Sequence, residues 1–154
     1  MSSLDKPKIK ERVVVAMSGG VDSSVAAYLL TTQGYEVLGV TMRLWSAEDD
    51  SISSTHQGCC SIDDIEDARM VCQQLGIPHY VLNVEQEFKS HVIGYFLQQY
   101  QNGRTPHPCI ACNDKIKFDF LLRRSLAWDA NFIATGHYAR INFEQDKYRL
   151  SRGI

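Results

Sequence analysis

The stretch "VVVAMSGGVDSSVAAYLL" (13–30) constrains the fold more than any other part of the chain. "RVVVAM" (12–17) is a continuous apolar run without polar alternation, as expected for a strand covered on both faces. After the loop, Val21, Val25, Ala26, Leu29 and Leu30 recur at helical spacing, and Gly34 supplies a stop. A strand, a glycine turn and a helix start aim backbone N–H groups and the positive helix end at one spot, which makes an anion site. Gly19 and Gly20 let backbone approach a phosphate, and Ser18, Ser23 and Ser24 add hydroxyl donors. The loop holds no lysine before its serines, so it is not a Walker A loop, and it lacks the G-x-G-x-x-G spacing of dinucleotide sites.

The rest of the chain alternates in the same manner. "EVLGVTM" (36–42), "HYVLNV" (79–84) and "NFIATG" (131–136) read as further strands. Ser61 and Asp64 form a capping-box pattern ahead of a helix carrying Ile65, Ala68, Cys72 and Leu75 on one face. A third helix is predicted over 85–100, with Phe88, Val92, Phe96 and Tyr100 on one side, and another over about 113–127. "QNGRTPHPC" (101–109) is expected to be irregular, and Ser46 to Gly58 to be a polar surface loop. "ARINFEQDKYRLSR" (139–152) reads as a hairpin turning near Gln145 and Asp146. Alternating strands and helices with apolar strands imply an α/β fold, an open parallel sheet wrapped by helices, with a short C-terminal hairpin.

At 154 residues there is enough chain for one domain that buries roughly 70% of its unfolded surface. A net charge of −2 exerts no global pull on nucleic acid or anionic membrane, so an RNA contact needs a local patch. Lys115, Lys117, Arg123 and Arg124 are one candidate for such a patch and Arg104 another; a solvated helix face explains the first group equally well. No apolar run approaches the ~20 residues of a membrane span, and "MSSLDKPKIKER" has no apolar signal core. The expectation is a cytoplasmic protein without membrane attachment, with 1–12 a flexible lead and 13–154 the domain.

"SGGVDSS" directly after "VVVAM" resembles the PP-loop of the ATP pyrophosphatases. Three more stretches narrow the resemblance: "GVTMRLW" (39–45), "GCCSIDDIEDARMVCQQLGIPHYVLN" (58–83) and "GRTPHPCIACNDKIKFDFLL" (103–122), followed by "ATGHYAR" (134–140). In this order they are similar to the N-terminal catalytic domain of the tRNA-specific 2-thiouridylases, over about Val13 to Arg152. The resemblance implies an adenine nucleotide alpha hydrolase-like fold and ATP with Mg²⁺. It also implies tRNA and a persulfide sulfur-donor protein as partners, and a reaction in which the wobble uridine C2 oxygen is adenylated before sulfur replaces it. It places ATP at Ala16, Met17, Ser18, Gly19, Gly20, Val21, Asp22 and Ser23, with Met42 and Gly136 at the nucleotide, and makes Cys112 a catalytic cysteine.

Cys112 reads as lying where a proline-rich loop meets a helix start, with Lys115 and Lys117 close behind, both of which favour a thiolate. The family's persulfide-carrying cysteine lies downstream, and no cysteine follows 112, so this stretch is expected to bind ATP without completing the sulfur cycle. The end at Ile154 reads as a truncation. Cys72 reads as a core thiol, while Cys59, Cys60, Cys109 and Cys112 offer an alternative as four thiolates for zinc or an iron–sulfur cluster. His137 suits a substrate contact or a structural role equally. Two rival readings are another PP-loop enzyme and a non-catalytic nucleotide- or metal-binding module.

Overall fold

Three consecutive valines make the centre of the molecule. Val13, Val14 and Val15 are buried because β1 (Arg12–Ala16) lies between parallel neighbours and under helices on both sides. The computed structural model describes residues 10–44 and 62–153. Within them, β1, β2 (Glu36–Arg43), β3 (His79–Asn83) and β4 (Phe132–Ala134) form a parallel sheet in the order β3-β2-β1-β4. Val15 pairs with Gly39 on one side and Ala134 on the other.

Side-chain alternation splits the core in two. Val13, Val15, Met17 and Val37 point to the face covered by α1 (Val21–Thr32) and α2 (Ile62–Leu75), where they meet Ala27, Ala68 and Cys72. Val14, Leu38, Val40 and Met42 point to the other face. There they meet Val84, at the junction after β3, and Val92, Ile116 and Leu121 from the helices that follow. This is the doubly covered parallel sheet implied by the strand pattern. Cys72 is buried, and burial pushes its thiol pKa up, as befits an inert core thiol.

Two local expectations change, and the third helix keeps its expected span but contains a wider turn. In α1, Ser23 and Ala27 are buried while Val21 is 77% exposed and Val25 and Leu29 are exposed too. Small residues occupy the closest positions on the sheet, while Ala26 and Leu30 of the expected face pack beside them on the same cluster. Between β3 and β4 the helix expected over 113–127 begins earlier, at α5 (Pro108–Cys112), because proline at the first helical position starts a helix rather than breaking it. The third helix runs through α3 (Glu85–Phe88), a π-helical turn (Lys89–Ile93) and α4 (Gly94–Gln101). A second π-helical stretch (Asn113–Phe120) links α5 to α6 (Leu121–Leu126).

The hairpin of β5 (Ala139–Glu144) and β6 (Lys147–Arg152) turns at Gln145 and Asp146, with φ of 51° and 58°. Positive φ at both central residues is the type I′ geometry that matches strand twist. The loop expected over 46–58, Trp45, His56, Cys59, Cys60 and the Ser61 cap lie outside the described residues.

The tightest contact between α2 and the sheet tests this packing. A Cβ on Gly39 would lie 2.5 Å from the Cys72 Sγ and 3.3 Å from the Met17 Cγ. Gly39→Ala is expected to destabilise the fold by about 1–3 kcal/mol through overpacking. In urea titrations Gly39→Ala/Cys72→Ala should be less destabilised than the sum of the two single changes, whereas strict additivity would contradict this contact.

Candidate functional site

The carboxyl ends of β1, β2 and β4 open into one cleft of about 250 Å³. It lies where β1 has β2 on one side and β4 on the other, a switch point at which open α/β sheets take ligands. Ala16, Met17, Ser18, Asp22 and Ser23 line it from the loop and first turn of α1, and Met42 from β2. Thr135, Gly136 and His137 line it from beyond β4, and Lys117 from the π-helical stretch.

The loop holds itself in shape. The Ser18 N–H donates to Ser23 Oγ at 3.2 Å, and the Ser23 hydroxyl donates to the Gly20 carbonyl at 3.0 Å. The Ser24 hydroxyl donates to the same carbonyl at 2.9 Å. Ser18 Oγ accepts the Gly20 N–H at 3.4 Å and lies 3.3 Å from Ser23 Oγ, so all three serines expected to donate to an anion are engaged within the loop. What remains is the backbone: Gly20 caps α1 without any side-chain cap, so the first-turn N–H groups are left to a ligand.

Two glycines are required by contact. Gly19 has φ +76°, and a Cβ there would lie 2.5 Å from the Asp64 carbonyl oxygen. On Gly136 a Cβ would lie 2.8 Å from the Ser23 nitrogen and 2.9 Å from the Asp22 Cβ. Gly136 thus brings the end of β4 against the first turn of α1. The Tyr138 hydroxyl donates to Asp22 Oδ1 at 3.3 Å across the same junction.

The ten residues expected at the nucleotide do not all share the cleft. Gly19 and Val21 face a shallow groove between α1 and α2, beside Val25, Tyr28, Val71 and Leu75, and Gly20 forms the helix cap. Cys112 is half-buried and packs on the core cluster that contains Met42 and Ile116. It is the fifth residue of α5, so the expectation that it sits at a helix N-terminus is corrected: Pro108 and Cys109 occupy that end. Lys115 pairs with Asp114 at 2.9 Å, while Lys117 reaches the cleft. Among the described residues no three His, Cys, Asp or Glu side chains gather to hold a metal; Cys59 and Cys60, half of the four-thiolate alternative, lie outside them.

Sequence reasoning did not place Lys117 or Thr135 here. Thr135 hydrogen-bonds the His137 Nδ1 at 2.6 Å, and the His137 ring lies 5.6 Å from the Phe118 ring. The motif "ATGHY" carried a signal for Thr135, being adjacent to Gly136. For Lys117 there was none, because its direction depends on the π-helical register.

A model of the tRNA methyl transferase HUP domain family matches residues 11–154. The chain belongs to this family. It is 56% identical to a tRNA-specific 2-thiouridylase of Clostridium kluyveri over 142 residues, which is 92% of this chain and 40% of that protein. A tRNA-specific 2-thiouridylase of Carboxydothermus hydrogenoformans is 54% identical over 147 residues, 94% of this chain and 40% of its own length. The chain therefore spans about two fifths of the length of these curated relatives. Among solved structures, an NH3-dependent NAD synthetase from Campylobacter jejuni aligns with TM-score 0.53 and 18% identity, over 82% of this chain and 47% of that one. A predicted subunit of tRNA methyltransferase from Methanocaldococcus jannaschii aligns with TM-score 0.50 and 20% identity, over 83% and 53%. These two show that the HUP-family fold is shared; no helix among the described residues is long and apolar enough to cross a membrane.

The electrostatics of this HUP-family cleft can be read through His137. Partial burial, and then the charge of Lys117, hold its pKa below the ordinary value, so its ring is neutral at pH 7. Lys117→Met removes the second cause and is expected to move the His137 titration upward in ring NMR. An unchanged titration would contradict the placement of Lys117 beside it.

Proposed function

We propose that this chain is the ATP-binding, adenylating part of a tRNA uridine 2-sulfurtransferase. The observation that carries the reading is the cleft itself. An uncapped helix N-terminus and a glycine pressed against that helix meet at the carboxyl end of a parallel sheet, beside a loop turned by a left-handed glycine. The family match and the names of the curated relatives supply the substrate class.

In this reading the first-turn N–H groups of α1 hold phosphates of ATP, and Ala16, Met17, Met42 and Gly136 form the walls nearest the nucleoside. The uridine C2 oxygen attacks the α-phosphorus; an O–P bond forms and the bond to the β-phosphate breaks. Pyrophosphate leaves with the electron pair, and the uracil N3 proton is lost. A second cysteine of the family, charged as a persulfide by a donor protein, then attacks C2 with its outer sulfur, and AMP leaves with the C2 oxygen. The Cys112 thiolate attacks the inner sulfur, so that a disulfide to Cys112 forms. The inner–outer S–S bond breaks, and its electron pair stays with the sulfur on C2.

Mg²⁺ fits the donor set in one manner only. Among the described residues Asp22 is the single carboxylate lining the cleft, which suits a cation that arrives on the phosphates and adds one carboxylate and waters. Bound there, it would supply charge neutralisation for the departing pyrophosphate. A cytoplasmic location accords with a tRNA substrate.

The test is titration calorimetry with Mg-ATP, followed by pyrophosphate release on adding tRNA. The chain is expected to bind ATP. Gly19→Val should weaken binding about tenfold or more, because it combines a left-handed φ with a clash against Asp64. Asp22→Ala should weaken binding in Mg²⁺ and far less in its absence. Unchanged affinity in both variants would sink the reading of the loop. Cys112→Ser should leave ATP binding intact and abolish thiolation in a protein of the relatives' length; retained thiolation would remove Cys112 from the sulfur step.

A further inference from the structure

The phosphate loop contains no lysine, yet the cleft does. We propose that Lys117, carried on the π-helical stretch Asn113–Phe120, is the cation that contacts the phosphate chain of the nucleotide, a part that no residue of loop 18–24 can play. The proposal rests on the adenylation reading and adds a substrate-contacting residue to it.

Three observations support it. Lys117 is half-buried in the same cleft as Ser18 and Asp22 and has no carboxylate partner among the described residues. Its neighbours differ: Lys115 pairs with Asp114 at 2.9 Å, and Arg123 pairs with Asp119 at 2.7 Å. Asp22, on the opposite wall, accepts the Tyr138 hydroxyl. The charge of Lys117 also reaches His137, so its head group and the residues after β4 share one local field.

The third observation is the helical register. Ile116 and Leu121 are both fully buried in the same core cluster, although they are five residues apart. At 3.6 residues per turn they would stand about 140° apart and could not both face the sheet. The wider turn resolves this: the Leu121 N–H bonds the Ile116 carbonyl, an i→i+5 link. With Ile116 and Leu121 anchored, positions 117 and 118 turn toward the residues after β4, where the Phe118 ring lies 5.6 Å from the His137 ring at an interplanar angle of 40°. The π-helical stretch therefore aims Lys117 into the cleft. Attack at the α-phosphorus places charge on the phosphate oxygens, and a fixed ammonium in a part-buried site stabilises that charge.

The experiment compares Mg-ATP and adenosine binding by calorimetry in the unaltered chain, Lys117→Met, Lys117→Arg and Lys115→Met. Loss of one charge-assisted contact predicts about ten- to a hundredfold weaker ATP binding for Lys117→Met, with adenosine affinity unchanged. Lys117→Arg should recover most of the ATP affinity, and Lys115→Met should match the unaltered chain. Unchanged ATP affinity in Lys117→Met overturns the role of Lys117 and leaves the adenylation reading standing. Equal losses for ATP and adenosine, or for Lys115→Met and Lys117→Met, also overturn it, showing a structural or a diffuse electrostatic effect. Failure of the unaltered chain to bind ATP overturns both.

Discussion

The contact between Gly136 and the first turn of α1 is the constraint on which the site depends. A hydrogen in place of a side chain lets the backbone after β4 rest on Ser23 and Asp22. That contact sets how far β4 stands from the loop after β1, and so the width of the cleft. Gly19 does the same on the other flank, where the loop meets the start of α2. The phosphate loop is thus held between two elements distant in sequence, and its shape belongs to the sheet as much as to "SGGVDSS".

The same economy of size runs through the core. Gly39 against Cys72, and Ser23 and Ala27 against the sheet, let α1 and α2 lie close to β1 and β2. Close helices leave Val21, Val25 and Leu29 outside, a cost in exposed apolar surface that the tight packing below offsets. The other layer is built differently. There large side chains such as Ile116 and Leu121 fill the space, and the backbone changes register to seat them.

This difference explains what was legible beforehand. Strands written as unbroken valine-rich runs, the glycine loop and the Gln145–Asp146 turn declare themselves through local chemistry, and each lies within two residues of where it was expected. The buried face of α1 did so only in part: Ala26 and Leu30 pack on the core as expected, but periodicity ranks residues by hydrophobicity whereas close packing selected Ser23 and Ala27 by size. The helix start at Pro108 was masked by the neighbouring proline and glycine. Lys117 was hidden for a third reason: no short window reveals a wide helical turn that forms to satisfy two core residues five apart. The loop and the Gly136 side of the site could be read from motifs, but the wall opposite them could not.

The self-contained loop has one further consequence. Because Ser23 and Ser24 are tied to the Gly20 carbonyl, the surface offered to an anion is made of peptide N–H groups, which have no protonation equilibrium near neutrality. A phosphate held there would feel an almost constant field from those peptide groups from mildly acid to mildly alkaline solution. Any acid sensitivity of the cleft then falls to the imidazole of His137 and to the ligand's own terminal phosphate.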